Sequence, residues 1–189
     1  TTSDGRTLDI SITITAAAAT TSATVTYSTV TLTTGAYPDT IAVGNKTAVY
    51  TSGGKGKVTL AKGSCSAGGT LSASSYIPAS AGTCSFTATD EASATASVTV
   101  TVKAALAISS SKTLLAVNSS ANVATISTSG GVGTAALSLV SGSVGSFSGT
   151  TYTAPTSGSG GSATVRSTDE LGNFVDASIQ VNQALSLTP

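Results

Sequence analysis

Thr87-Ala88-Thr89-Asp90-Glu91 returns as Arg166-Ser167-Thr168-Asp169-Glu170, 79 positions further on (169 − 90). The same offset carries Ala105-Leu106-Ala107-Ile108 onto Ala184-Leu185-Ser186-Leu187 (185 − 106). Between these anchors Ser52-Gly53-Gly54 answers Ser129-Gly130-Gly131, and Tyr76-Ile77-Pro78 answers Tyr152-Thr153-Ala154-Pro155. Ile41-Ala42-Val43-Gly44-Asn45 answers Leu115-Ala116-Val117-Asn118-Ser119. Motifs that recur in a fixed order, with small length differences between them, mark a structural repeat.

The period divides the chain into residues 1–15, the closing strands of a preceding repeat or an exchanged strand, and a linker at 16–21. Complete repeats follow at 22–103 and 104–183, and 184–189 opens a further one. The 189 residues are thus out of phase with their own repeats: Leu8, Ile10, Ile12 and Ile14 look like a last strand, and Ala184 to Pro189 like a first one.

Within each copy, apolar residues alternate with Ser or Thr, as at Val98, Val100 and Val102 or at Ile179 and Val181. Successive side chains of a strand point to opposite faces, so this alternation predicts half-buried strands. Further short strands are expected at 163–165, around Val123 and Ile126, and at 58–60, with turn formers between them. No segment sustains a 3.6-residue period, and four alanines at 16–19 cannot nucleate a helix, so almost none is expected. The fold class read from this pattern is all-β, two tandem sandwiches.

Composition narrows function further. Charged residues are 8% of the chain and the formal net charge is zero, against about 25% charged in ordinary soluble domains. No Lys/Arg cluster exists to neutralise a row of phosphates, so neither nucleic acid nor an anionic lipid surface is an expected partner. No apolar run approaches the roughly 20 residues of a membrane-spanning helix. Aromatic residues are 4% and Trp and Met are absent, which predicts thin aliphatic cores.

Cys65 and Cys84 lie 19 positions apart (84 − 65) and fall where the second copy has Val144 and Ala163. A pair that replaces two apolar positions, with no His to complete a zinc site, reads as a buried cross-strand disulfide in preference to two unrelated thiols.

The Ile41-to-Asn45 strand end, the Ser129-Gly130-Gly131 turn, Tyr152-Thr153-Ala154-Pro155 and the stretch from Ala163 to Asn173 together resemble the immunoglobulin-like repeats of large bacterial cell-surface and secreted fibre or adhesin proteins. The resemblance covers both complete copies. It implies small sandwiches strung out from a cell surface, outside the cell, as stalk, spacer or adhesive shaft. Neighbouring repeats or subunits are then the first partners, and a glycan or a host surface protein the next. The first copy departs from the pattern at Asp90-Glu91-Ala92-Ser93, which lacks the Gly-Asn of the second.

Chemistry is sparse. With no His, Ser-His-Asp and Cys-His nucleophile systems are excluded, and the eight acidic residues fall mainly at turns, so the chain is read as non-enzymatic and without a cofactor. Asp4, Asp90 with Glu91, and Asp169 with Glu170 recur at one repeat position and are weak calcium candidates. Calcium takes six to eight oxygens, so turn formation through the Asp side chain is the stronger reading. Gly53-Gly54-Lys55-Gly56-Lys57 lacks the spacing of a phosphate loop and is read as a hairpin turn. Asn45-Lys46-Thr47 and Asn118-Ser119-Ser120 are sequons. A carbohydrate platform needs grouped aromatics, and Tyr27, Tyr37 and Tyr50 form the one modest concentration. Beside the surface shaft, two other functions fit these features: a filament subunit assembled by exchange of terminal strands, and a module that binds glycan or protein through its loops.

Overall fold

The computed structural model describes residues 31–117, 122–141 and 143–183. The readings placed on residues 1–30 and 184–189, including Asp4, Tyr27, the 16–21 linker and the two partial repeats, lie outside them, as does Asn118. Among the described residues there is no helix, only sixteen short strands.

The first repeat contains β1 (Thr33–Tyr37), β2 (Thr40–Ala42), β3 (Thr47–Ser52), β4 (Thr59–Cys65), β5 (Thr70–Ser72), β6 (Ser75–Ile77), β7 (Gly82–Thr89) and β8 (Thr95–Lys103). They form two four-stranded sheets, β1-β3-β6-β5 and β2-β8-β7-β4. The second repeat contains β9 (Ala107–Ser110), β10 (Leu114–Ala116), β11 (Val123–Ser129), β12 (Ala136–Leu139), β13 (Ser146–Ser148), β14 (Thr151–Thr153), β15 (Gly161–Thr168) and β16 (Phe174–Asn182). Its sheets, β9-β11-β14-β13 and β10-β16-β15-β12, have the same order. In each repeat the first strand is split, its early half antiparallel in one sheet and its later half (β2 or β10) parallel to the last strand of the other. This is the immunoglobulin-like sandwich.

The expected alternation is seen directly. Cys84, Phe86 and Ala88 of β7 and Val100 and Val102 of β8 point inward, as do Ala163, Val165, Ile179 and Val181 of the second repeat. Tyr76 and Tyr152 complete the two cores, fully buried yet satisfied: each hydroxyl donates to a carbonyl eight residues upstream, Gly68 at 2.7 Å and Val144 at 2.8 Å. Burial pushes both phenols above their ordinary pKa. The two tyrosines, with Phe86 beside Tyr76 in the first core, therefore supply bulk without leaving an orphaned donor.

Two readings need correction. The Gly53-to-Lys57 stretch is not a hairpin turn, because β3 and β4 belong to different sheets and the glycines carry the chain from one layer to the other. The strand expected at 58–60 starts at Thr59 and runs on to Cys65, with a register shift between Lys62 and Cys65. The polar run Lys62-Gly63-Ser64 on this edge strand conceals the pattern.

One core position is mismatched. Ser167 is fully buried and its hydroxyl has no hydrogen-bond partner among the described residues, whereas the first repeat has Ala88 at this point. A buried unpaired hydroxyl costs on the order of 1 kcal/mol or more. Ser167→Ala should stabilise the second repeat by about 1 kcal/mol, read as a higher urea midpoint at unchanged slope.

Candidate functional site

The two motifs that define the period meet in space. In the second repeat the turn between β15 and β16 carries Asp169, and the connection between β11 and β12 carries Gly130, Gly131, Val132 and Gly133. The Asp169 carboxylate joins them. Its Oδ2 accepts from the Val132 N–H at 3.1 Å, and its Oδ1 from the N–H groups of Leu171 at 3.0 Å and Asn173 at 2.9 Å. The Asn173 side-chain amide donates to both oxygens. Glu170 adds an N–H bond to the Val132 carbonyl and accepts from the Thr134 N–H.

The first repeat builds the same lock. Asp90 accepts from the N–H groups of Lys55 at 2.8 Å and of Ala92 and Ala94 at 2.9 Å, and the Glu91 N–H donates to the Lys55 carbonyl. Where the second copy turns through Gly172 at φ 81°, the first uses Ser93 at φ 64°, so the missing Gly-Asn costs it the amide and not the turn.

Both aspartates are buried, and both are held below the ordinary carboxylate range. For Asp90 the Lys55 N–H is the main cause, opposed by burial and helped by the Ala94 and Ala92 N–H groups. For Asp169 burial pushes upward most strongly, and the Asn173 amide with the Val132, Asn173 and Leu171 N–H groups together outweigh it. The carboxylate oxygens face N–H donors, and no group of three or more acidic or sulfur ligands converges anywhere among the described residues. The turn role follows from this geometry, and it extends past the turn itself to a second loop.

The lock also seats the chain entering each repeat. Gly131 donates to the Ala104 carbonyl, and a Cβ at Gly131 would lie 3.0 Å from the Leu106 side chain. Gly130 lies against the Ala105 carbonyl at φ 69°, where only a residue without Cβ fits. Residues 104–106, which connect β8 to β9, are thereby clamped onto the second repeat. Leu32 lies over Gly54 in the same way, 3.1 Å from where its Cβ would be. Across the joint, Asn173 accepts from the Asn45 side-chain amide at 2.6 Å, and Gly44, Asn45, Lys46, Ile77 and Asn173 line an open recess. Asn45 and Asn173 both stand inside the recognised motifs, but nothing in residues 128 positions apart announces their contact.

The cysteines behave as read. Cys65 and Cys84 are opposed on neighbouring antiparallel strands and joined by a disulfide, with Cys84 fully buried. Tyr37 and Tyr50 stand on adjacent strands of one outer face and are both exposed.

No protein-family model matches the chain, and no curated protein matches it in sequence. Solved structures do. A C-terminal 282-residue fragment of intimin, in complex with the translocated intimin receptor intimin-binding domain, is similar with a TM-score of 0.55 at 14% identity, over 79% of this chain. The chain spans 63% of that fragment's length. The N-terminal eight immunoglobulin domains of Down syndrome cell adhesion molecule (TM-score 0.43, 12% identity) and the Yersinia pseudotuberculosis adhesin InvE (0.30, 16%) match over 83% and 80% of this chain, and over 25% and 58% of their own. At 14% identity the intimin match is a likeness of fold alone.

Proposed function

We propose that this chain is a structural repeat region of an extracellular bacterial surface fibre, with residues 22–103 and 104–183 as two units of a longer array. The observation that carries this reading is the clamp at the start of each repeat. A leucine of the entering chain sits on the glycines of the loop that the aspartate locks, in both copies. A device that fixes how chain enters a sandwich has its use where one sandwich follows another through a short connection. The repeat period and the polar, sparsely charged sequence also support this reading. Partners of such a shaft are its own neighbouring repeats, and a glycan or protein at its surface.

Solution scattering tests this. The intact chain should give the profile of an elongated two-sandwich particle, and Asn45→Ala should broaden the distribution of inter-repeat distances while leaving each sandwich folded by circular dichroism. A compact, near-spherical particle would overturn the shaft reading.

A further inference from the structure

The outer faces of the two repeats are not equivalent. On the β1-β3-β6-β5 sheet the first repeat carries Tyr37 at 80% exposure, Tyr50 at 54% and Ile77 at 51%. The registers Thr47↔Tyr76 and Ala124↔Tyr152 align the repeats here, and place Ser111, Ser127 and Thr153 at the matching positions of the second. The fold is thus satisfied by small hydroxyl residues at these three points. At these three points the first repeat alone displays large side chains to water.

Their arrangement is specific. Gly35 opposes Tyr50, and Tyr37 opposes Ala48, which in turn opposes Ser75. A Cβ at Gly35 would lie 2.5 Å from both Cζ and Oη of Tyr50, so the ring leans across β1 with its phenol end over the glycine. A ring laid along a sheet offers a face to solvent. Tyr37 is its diagonal neighbour, about 7–8 Å away by strand geometry. Ala48 and Ser75, both small, form a floor between the two tyrosines and Ile77, and Ile77 continues into the recess at the joint lined by Asn45, Lys46 and Asn173.

We infer that this face binds a neutral glycan, with pyranose rings stacked on Tyr50 and Tyr37 and the strand running toward the recess. The chemistry selects the occupant. The strands here carry hydroxyls and no charged side chain, and the single charges near the edge, Lys46 and the exposed Asp39, are of opposite sign, so neither a strongly basic nor a strongly acidic partner finds a complement. A hydroxylated, uncharged chain presents C–H faces to the rings and hydroxyls to Ser, Thr and Asn side chains. The site is a sheet face, distinct from the loops; it deepens the glycan part of the proposed function, and its failure leaves the scattering test of the shaft untouched.

Cellohexaose, maltohexaose and chitohexaose, titrated into the whole chain and followed by amide NMR, are the probes. At least one should bind with a millimolar or tighter dissociation constant, moving amide signals of β1, β3 and β6. Tyr37→Ser/Tyr50→Ser, which copies the second repeat, should weaken binding at least about tenfold with an unchanged melting temperature. Gly35→Ala keeps both tyrosines but unseats the Tyr50 ring, and should weaken it severalfold. Absence of binding by all three probes, or undiminished binding in the double variant, overturns the inference. So does self-association of the chain through this face that the double variant abolishes while no probe binds.

Discussion

Asp169→Ala should destabilise the second repeat by about 3 kcal/mol, several times the effect of an ordinary surface change. The carboxylate accepts from three backbone N–H groups and from the Asn173 amide, and it is buried. Removing it leaves those donors unmatched. Each buried unsatisfied group costs about 1–3 kcal/mol, but the loops can open to water and recover part of that. The melting temperature of the second repeat should fall by roughly 12–20 °C, and amide exchange should quicken first at Val132, Leu171 and Asn173. Glu170→Ala, whose side chain reaches one exposed N–H, should cost less than about 1 kcal/mol. Equal losses in the two variants would show that the lock is not centred on Asp169.

Acid should mimic the substitution. Both Asp90 and Asp169 titrate below their ordinary value of 3.8 in the folded chain. The unfolded chain therefore takes up these protons at a higher pH than the folded one does. The stability they contribute is complete well above pH 4, and it declines as pH falls through the depressed folded values. Urea midpoints measured from pH 6 down to pH 3 should drop in the parent and drop less in Asp169→Asn, which starts lower because its amide turns donors toward donors.

How much of this was legible follows from range along the chain. Alternation at Val98, Val100 and Val102 is local, and it predicts the last strand of the repeat and its inward face, which β8 shows. Cys84 is readable because the other copy has the buried Ala163 in its place, whereas the match of Cys65 to Val144 does not hold: the Val144 N–H bonds to the Ser162 carbonyl as that of Ala67 does to Thr83, because the loop lengths differ here. The lock is half legible: Asp169 reads as a turn former, Ser129-Gly130-Gly131 as a turn and Gly53-to-Lys57 as a hairpin. Their contact spans 37 positions, and in the first copy 35, a distance no turn rule reaches. Tyr37 and Tyr50 were visible as residues, yet only the register Gly35↔Tyr50 and Tyr37↔Ala48 puts both on one outer face. A one-residue slip would have buried them.

Cys65→Val/Cys84→Ala, which replaces the disulfide by two aliphatic side chains and at Cys84 copies Ala163 of the second repeat, should lower the first repeat's stability by about 3 kcal/mol, the chain-entropy value for closing a loop of this length. The substitution suits the site, since Cys84 is fully buried beside Phe86 and Val100 and the second repeat packs there without sulfur. What is lost is the constraint on the unfolded chain and the tie between β4, an edge strand whose register shifts between Lys62 and Cys65, and β7. The first repeat should then melt roughly 12–20 °C earlier, as a separate transition, while the second repeat keeps its midpoint. Reduction of the parent with dithiothreitol should reproduce the shift in the first repeat alone. If both repeats shift together, the joint at Asn45 and Asn173 couples their unfolding, and Asn45→Ala in the same background should separate the two transitions again.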